Sequence, residues 1–197
     1  MYFDFNKKYT LENESLILRP LEITDIENLI HFSINEPELW RYSLLPASNE
    51  NELKNYLKVA LEKRKNKVDY PFIVFDKKTN SYAGSTRFYD IQLSNKTLQL
   101  GYTWYGKDFQ GIGLNKNCKY LLLEFAFEKM NMERVEFRAD NANKKSIAAM
   151  QSIGCQIEGV LRSNGIKPNG ERRDSIILSI LKQEWDNSVK ENLLKRL

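Results

Sequence analysis

Histidine and cysteine are nearly absent from this sequence. One histidine, His31, and two cysteines, Cys118 and Cys155, occur among its 197 residues. A structural zinc site needs about four closely spaced ligands, which these three residues do not supply. His31 falls in a predicted amphipathic helix, which argues against a histidine-based catalytic triad. We therefore expect no metal, and we expect both cysteines to be buried and reduced, Cys118 in a helix and Cys155 in a strand.

Long apolar runs and a strong charge bias are also missing. No run approaches the roughly 18 apolar residues that a membrane span requires, and residues 1–15 lack the apolar core of a secretory signal. The net charge is +4, from 30 basic and 26 acidic residues dispersed along the chain. This excess is too small to indicate nucleic-acid binding. We expect a cytoplasmic protein that binds neither membrane nor nucleic acid.

The hydrophobic pattern predicts an α/β (α+β) fold with the element order β-α-α-β-β-β-α-β-α-β-β. Three apolar runs at residues 70–76, 81–93 and 98–105 are separated by short turns, which favours an antiparallel meander. The residues predicted to share one face of the third run are Leu98, Leu100, Tyr102 and Trp104. We expect one domain with a mixed, mostly antiparallel, twisted sheet flanked by helices. The basic amphipathic stretch KENLLKRL at the end is expected to be a solvated helix.

Two glycines lie between the fourth predicted strand and a strongly predicted helix, in the stretch DFQGIGLNKNCKY (residues 108–120). Such a turn can expose backbone N–H groups at a helix N-terminus, where the helix dipole favours an anion. A Rossmann fingerprint needs a third glycine at position 116, which is lysine here, and the Walker A spacing is also absent. The residues alone leave two interpretations open, a phosphate site or a tight turn whose glycines serve only geometry.

Four stretches in order resemble the GCN5-related N-acetyltransferases (GNAT), and in particular the RimJ/RimL type. QGIGLN (110–115) is similar to the signature Q/R-x-x-G-x-G/A, with Asn115 at the small-residue position. Asn143 and Ser146 match the N-x-x-S of a second signature. The stretches LRPLEITDIENL (18–29) and IEGVLR (157–162) complete the resemblance. It covers about residues 15–183, which would be the domain, with an N-terminal extension at 1–14 and a basic tail at 184–197.

The resemblance implies that the chain binds acetyl-coenzyme A (acetyl-CoA). The glycine turn would cradle the pyrophosphate, and the fourth predicted strand would bind the pantetheine arm and offer a main-chain N–H to the thioester oxygen. Asn143 would contact the pantetheine, and Ser146 the cofactor near its thiol end or its phosphate arm. The cofactor-binding residues implied are Tyr102, Thr103, Trp104, Gln110, Gly111, Ile112, Gly113, Leu114, Asn115, Asn143 and Ser146.

Met150 occupies the position at which many relatives carry a tyrosine that protonates the departing thiolate. Methionine has no proton to donate, so Ser146, Tyr102 or water would have to replace it, and Ser146 is the first candidate. No general base is identifiable, although Glu158 and Asp90 lie near predicted strand ends. A water chain would serve equally well.

The acceptor side is the least determined part of the sequence. If the family layout holds, a connector with Trp40, Arg41 and Tyr42 and a loop with Arg172 and Arg173 would flank the amine. These arginines favour an acceptor with an anionic group near its amine, although a solvated basic hairpin is the alternative. The expected function is direct acetyl transfer to a protein or peptide N-terminal amine.

Two other functions remain open at this stage. One is acetylation of a small-molecule amine such as a polyamine, an aminoglycoside or an amino acid. The other is a non-catalytic acyl-CoA-binding module, which the methionine at position 150 and the missing base would permit. A partner subunit commonly closes the cleft in this family, so the resemblance also implies a homodimer.

Overall fold

The computed structural model describes residues 3–197, and eight of its segments are strands of one sheet. Their bounds are Leu11–Glu12 (β1), Leu16–Pro20 (β2), Tyr70–Asp76 (β3), Ser81–Gln92 (β4), Thr97–Tyr105 (β5), Arg134–Asp140 (β6), Gln156–Ile166 (β7) and Arg172–Leu181 (β8). They lie in the order β1-β2-β3-β4-β5-β6-β8-β7. β5 and β6 pair in parallel, and the other neighbouring strands pair antiparallel.

Helices cover both faces of this sheet. On one face lie α1 (Ile26–Asn35) and α2 (Glu50–Lys65), and on the other lie α3 (Leu114–Glu124) and α4 (Lys144–Ser152). The C-terminal helical segment consists of α5 (Lys182–Glu184), a π-helical turn (Trp185–Val189) and α6 (Lys190–Leu194). The α1/α2 face encloses a core with Leu29, Leu57 and Trp104, whereas the α3 face encloses a larger core.

The predicted fold class and element order are confirmed, with additions at both ends. β1 has only two residues, too few for a hydrophobic period to appear in the sequence. The antiparallel meander corresponds to β3, β4 and β5. Both cysteines are buried and free, but Cys155 precedes the first residue of β7 and so lies just outside the expected strand. The division of the chain at residues 14 and 183 stays a prediction.

β5 departs from the predicted alternation at a bulge. Arg87 of β4 is opposite Gly101 of β5, while Ser85 is opposite Trp104, so β5 carries one extra residue between these pairs. Tyr102 adopts a left-handed backbone conformation there, with φ of 49°. An extra residue reverses the side-chain alternation beyond it. The prediction that Tyr102 and Trp104 share a face with Leu98 and Leu100 is therefore wrong, because Trp104 belongs to the opposite core and Tyr102 packs against that core.

The C-terminal helical segment packs against the domain, so the expectation of a solvated helix is wrong for its apolar face. Trp185 is fully buried and stacks on Phe127 with the ring centres 5.5 Å apart. Its indole Nε1 donates a hydrogen bond to Glu128 Oε1 at 3.1 Å. Val189 and Leu193 are buried in the same core. The apolar stripe reaches back to residue 185, five residues before the stretch KENLLKRL begins.

Candidate functional site

The sheet splits between β5 and β6. The two strands pair only at Thr97–Arg134, Leu98–Val135 and Gln99–Glu136. Beyond these pairs, β5 stays paired with β4 as far as Tyr105, and β6 stays paired with β8 as far as Asp140. Residues 100–105 and 137–140 therefore face each other across a slot without strand pairing. An extended polar chain entering this slot could hydrogen-bond the free backbone edges.

The glycine turn lies directly after β5, at the open end of the slot. Gly111 and Gly113 have φ of 80° and 90°, a conformation that side chains disfavour. A Cβ at either position would meet no heavy atom within 4 Å, so the space above the turn is open. Within residues 3–197, the N–H groups of residues 111–115 donate no hydrogen bond. These free donors at the start of α3 form a cradle that suits an anion.

Side chains around the cradle hold the turn in place. Gln110 donates a hydrogen bond from Nε2 to the Tyr105 carbonyl at 2.8 Å, and its Oε1 accepts one from Lys145 at 2.6 Å. Leu114 is buried, whereas Ile112 is 54% exposed. Asn115 lies half-buried in the first turn of α3. Lys145 adds a positive charge beside the turn, and because it is 35 residues away in sequence, no local motif announces it.

Asn143 and Ser146 begin α4, which follows β6. Asn143 is the N-cap of this helix, and its Oδ1 accepts a hydrogen bond from the Ser146 N–H at 3.1 Å. This contact explains the N-x-x-S spacing as a helix cap. The Ser146 hydroxyl makes no hydrogen bond within the described residues and is half-buried. Met150 is 7% exposed and packs in the α3-side core. The roles predicted for Asn143 and Ser146 toward a cofactor stay predictions.

The Lys119 ammonium approaches both strands that border the slot, and the motifs do not include this residue. It belongs to α3 and is 5% exposed. Its Nζ donates a hydrogen bond to Thr103 Oγ1 of β5 at 2.7 Å and lies 5.8 Å from the ring centre of Phe137 in β6. Thr103 Oγ1 in turn is 2.7 Å from Thr86 Oγ1. Burial lowers the pKa of Lys119 to about 8. The sequence hint was a lysine beside the apolar stripe of a predicted core helix.

The face of the sheet opposite α3 carries the Tyr102 side chain. Its ring centre lies 4.0 Å from the Arg87 guanidinium and 5.0 Å from the Tyr89 ring centre. The Tyr102 carbonyl accepts a hydrogen bond from the Tyr56 hydroxyl at 3.3 Å. Arg87 is 1% exposed and forms an ion pair of 3.3 Å with buried Asp69. The Tyr102 backbone thus borders the slot, while its side chain belongs to the face on which α1 and α2 pack.

Arg173 joins β8 to the connector after α1. It is 8% exposed, and its Nη1 donates a hydrogen bond to the Tyr42 carbonyl at 3.3 Å. Its Nε is buried and has no hydrogen-bond partner within residues 3–197, and the same holds for Asp140 Oδ2. Burial lowers the pKa of Arg173, against the opposing effect of nearby Asp140. Gly165 also approaches Leu44, so the β7–β8 hairpin contacts the connector.

The other residues predicted to contact the acceptor, apart from Tyr42, do not form a group with Arg173. Trp40 is 5% exposed and packs on Trp104 with the ring centres 5.1 Å apart. Arg41 is exposed, and its guanidinium lies over the neighbouring Tyr42 ring. Arg172 is exposed and donates from Nε to Ser163 Oγ at 2.7 Å. Of these predicted residues, the geometry brings together Tyr42 and Arg173.

Glu158 and Asp90 do not face the slot. Glu158 accepts hydrogen bonds from Arg134 and Ser179, and the hydrogen bond from Arg134 lowers its pKa. Arg134 belongs to the end of β6 that pairs with β5. Asp90 accepts a hydrogen bond at 2.8 Å from Gln99, the last residue of β5 that pairs with β6. Both carboxylates therefore lie toward the closed end of the slot.

The described part of the chain holds neither a metal-binding cluster nor a membrane-spanning helix. Within residues 3–197, no group of three or more His, Cys, Asp or Glu side chains is arranged to hold a metal ion. Across the same residues, every helix falls short of the length and apolarity that a membrane crossing needs.

Comparison with known protein sequences identifies a family that covers most of the chain. The family described as "Acetyltransferase (GNAT) domain" matches residues 15–156. "Putative ribosomal N-acetyltransferase YdaF" of Bacillus subtilis (strain 168) is 29% identical over 179 residues, which span 88% of this chain and 95% of YdaF.

Solved structures extend this similarity to the fold. A GCN5-related N-acetyltransferase from Brucella melitensis superposes with a TM-score of 0.88 at 21% identity, covering 98% of this chain and 86% of that one. The ribosomal-protein-S5-alanine acetyltransferase from Vibrio fischeri gives a TM-score of 0.73 at 20% identity, covering 90% and 98%. At these identities the similarity concerns the fold alone.

Proposed function

The chain belongs to the GNAT acetyltransferase family and is an N-acetyltransferase, and we propose that it transfers the acetyl group of acetyl-CoA directly to the α-amine of a peptide or protein N-terminus. One observation carries the cofactor half of this proposal: an anion cradle lies at the open end of a slot between two strands. A phosphate-bearing head with a long, narrow, polar arm fits this combination. Coenzyme A has that shape.

The residues around the slot divide the cofactor between them. The N–H groups of residues 111–115 would bind the pyrophosphate, since they are free and lie at the positive end of α3. The backbone of residues 102–104 would hydrogen-bond the pantetheine arm, because this edge of β5 has no strand partner. A main-chain N–H there would stabilise negative charge on the thioester oxygen. Bound acetyl-CoA supplies an activated acyl group, while the chain binds the cofactor, orients it and excludes water.

The acceptor would approach from the face that carries Tyr102 and Arg173. A free α-amine has a pKa of about 7.7–8 and is partly neutral at physiological pH, whereas a lysine side chain at about 10.4 needs more help. Arg173 is buried, and its Nε–H has no hydrogen-bond partner among residues 3–197, so it favours an acceptor with a carboxylate or another anionic group near the amine. Because the similar protein YdaF is described as a putative ribosomal N-acetyltransferase, N-terminal peptides of ribosomal proteins are the first acceptors to assay.

Mass spectrometry of an acceptor panel tests this proposal. The panel contains peptides with free N-termini, the same peptides blocked at the N-terminus but carrying lysine, and free polyamines, aminoglycosides and amino acids. We expect CoA release and a single acetyl group on the α-amine of a subset of the free peptides. Acetylation of small amines alone would contradict the peptide acceptor. Binding of acetyl-CoA without turnover on any acceptor would support the non-catalytic module.

A further inference from the structure

We propose that Lys119 is the acid that protonates the departing sulfur when the acetyl group leaves the thioester. This inference rests on the proposed function, because it assumes that the pantetheine arm occupies the slot between β5 and β6. It assigns a catalytic role to a residue outside both recognised signatures. It also accounts for a reaction site in which position 150 is methionine.

The position of the ammonium carries the argument. Lys119 extends from α3 to Thr103 on one wall of the slot and comes near Phe137 on the other. Phe137 is the first residue of β6 beyond the strand pairs, so Nζ lies where the slot begins to open. A lysine ammonium has three N–H donors, and the hydrogen bond to Thr103 uses one. Two donors are left for a group in the slot.

The surroundings leave this ammonium without a fixed counter-ion. Within residues 3–197, Lys119 forms no ion pair, which is unusual for a charge that is 5% exposed. The titratable groups that face it are the thiols of Cys118, on its own helix, and Cys155, before β7. Burial raises the pKa of both thiols, so both are neutral near pH 7. A sulfur that becomes anionic in the slot would be the natural partner of Lys119.

Other proton donors near the slot are less suitable. The Tyr102 ring lies on the opposite face, against Arg87 and Tyr89. The Tyr105 hydroxyl is buried against Cys118, and burial raises its pKa well above the ordinary value. An alkyl hydroxyl such as that of Ser146 is a far weaker acid than an ammonium. Lys119, whose burial lowers its pKa to about 8, is at least as strong an acid as a cysteine thiol, whose ordinary pKa is about 8.5, so it can protonate an alkyl thiolate.

The proton and bond changes balance without another reactant. The acceptor nitrogen forms a bond to the acetyl carbon, and the carbon–sulfur bond breaks with its electron pair remaining on sulfur. Lys119 gives one proton to that sulfur and becomes a neutral amine. The acceptor nitrogen releases one proton to water, and Lys119 regains one from water before the next turnover. The products are the N-acetyl compound and the free thiol.

A binding experiment without turnover tests the contact first. The ¹³Cε resonance of Lys119 is titrated with pH in the free protein, with CoA, and with desulfo-CoA, which lacks the thiol. We expect a higher pKa for Lys119 with CoA than with desulfo-CoA, because a thiolate beside the ammonium stabilises its charge. Identical titrations with the two ligands would overturn the proposal.

Kinetics of variants then test the proton transfer. Lys119→Met is expected to lower kcat by about 10²–10⁴-fold, the range for a general acid, with little change in KM for acetyl-CoA. The wild-type kcat should fall as pH rises through the pKa of Lys119, and this limb should vanish in Lys119→Met. Lys129→Met, which removes an exposed lysine beyond α3, should leave both kcat and its fall at high pH unchanged. A retained limb in Lys119→Met would overturn the proposal.

Lys119→Arg separates proton donation from the effect of charge. A guanidinium keeps the positive charge but does not release its proton near neutral pH. We expect this variant to be impaired and to lack the falling limb, and wild-type kcat in Lys119→Arg would overturn proton donation. Calorimetry on the wild type separates a failure of the proposed function from a failure of the role of Lys119. If the wild type does not bind acetyl-CoA, both proposals are contradicted. If the wild type binds and turns over acetyl-CoA and the Lys119 variants are unaffected, only the role of Lys119 is contradicted.

Discussion

Replacing Gly113 with valine should abolish acetyl-CoA binding while the protein stays folded. Gly113 has φ of 90°, and its missing side chain points into open space above the cradle. Valine there would block the anion and favour a different backbone conformation. Loss of two hydrogen bonds to a charged group at about 1.5–3 kcal/mol each removes about 3–6 kcal/mol of binding free energy. This corresponds to a Kd raised by about 10²–10⁴-fold.

The cost in stability should be much smaller than the loss of binding. A side chain in the left-handed region costs roughly 1–2 kcal/mol, against a typical unfolding free energy of about 5–15 kcal/mol. Gly170 offers a matched control, since its φ is 85° and a Cβ there also meets no atom within 4 Å. It lies in the β7–β8 turn, away from the cradle. Gly170→Val should therefore share the strain and keep acetyl-CoA binding.

Isothermal titration calorimetry with acetyl-CoA, together with urea unfolding of each variant, decides between these effects. We expect weak or undetectable binding for Gly113→Val and wild-type binding for Gly170→Val, at similar unfolding free energies. Wild-type affinity in Gly113→Val would refute the cradle. Equal loss of affinity in both variants would show that strain, and not the phosphate contact, controls binding.

Three further predictions concern the acceptor, the core and pH. Arg173→Gln should raise the acceptor KM by about tenfold or more, because one charge-assisted contact is lost. Arg172→Gln, at an exposed position, should leave the acceptor KM unchanged. An acceptor KM of Arg173→Gln equal to that of the wild type would contradict an anionic acceptor. Trp185→Ala should lower the urea-derived unfolding free energy by about 3–5 kcal/mol, and Leu194→Ala, at 52% exposure, should change it little. Arg134 lowers the pKa of Glu158, so this carboxylate stabilises the fold above its unfolded pKa and loses that effect as pH falls through its folded pKa. Glu158→Gln should therefore be less stable than wild type at pH 7, and the two unfolding curves should converge in acid.

The features that the sequence predicted well depend on residues that are close together in the chain. Strand and helix periods gave the element order, and turn residues gave the meander of β3 to β5. The glycines at 111 and 113 could be recognised because a positive φ restricts the residue type. Asn143 was predicted from the resemblance to the second GNAT signature, and the structure shows it as the N-cap of α4, a position that prefers a few short polar side chains.

Features that depend on contacts between distant segments could not be read in this way. The bulge at Tyr102 reverses a strand face without changing its composition, so the alternation misplaced Trp104. Lys119 looks like any helix lysine until its Nζ is seen against Thr103 in the slot. Arg173 and Tyr42 are 131 residues apart, and only the folded chain brings them together.

A crystal structure of the protein with bound CoA would test the central claim most directly. We expect the pyrophosphate within hydrogen-bond distance of the N–H groups of residues 111–115. We also expect the pantetheine arm in the slot between residues 100–105 and 137–140, with the sulfur beside Lys119 Nζ. CoA bound elsewhere, or a pyrophosphate with no contact to the glycine turn, would contradict this claim.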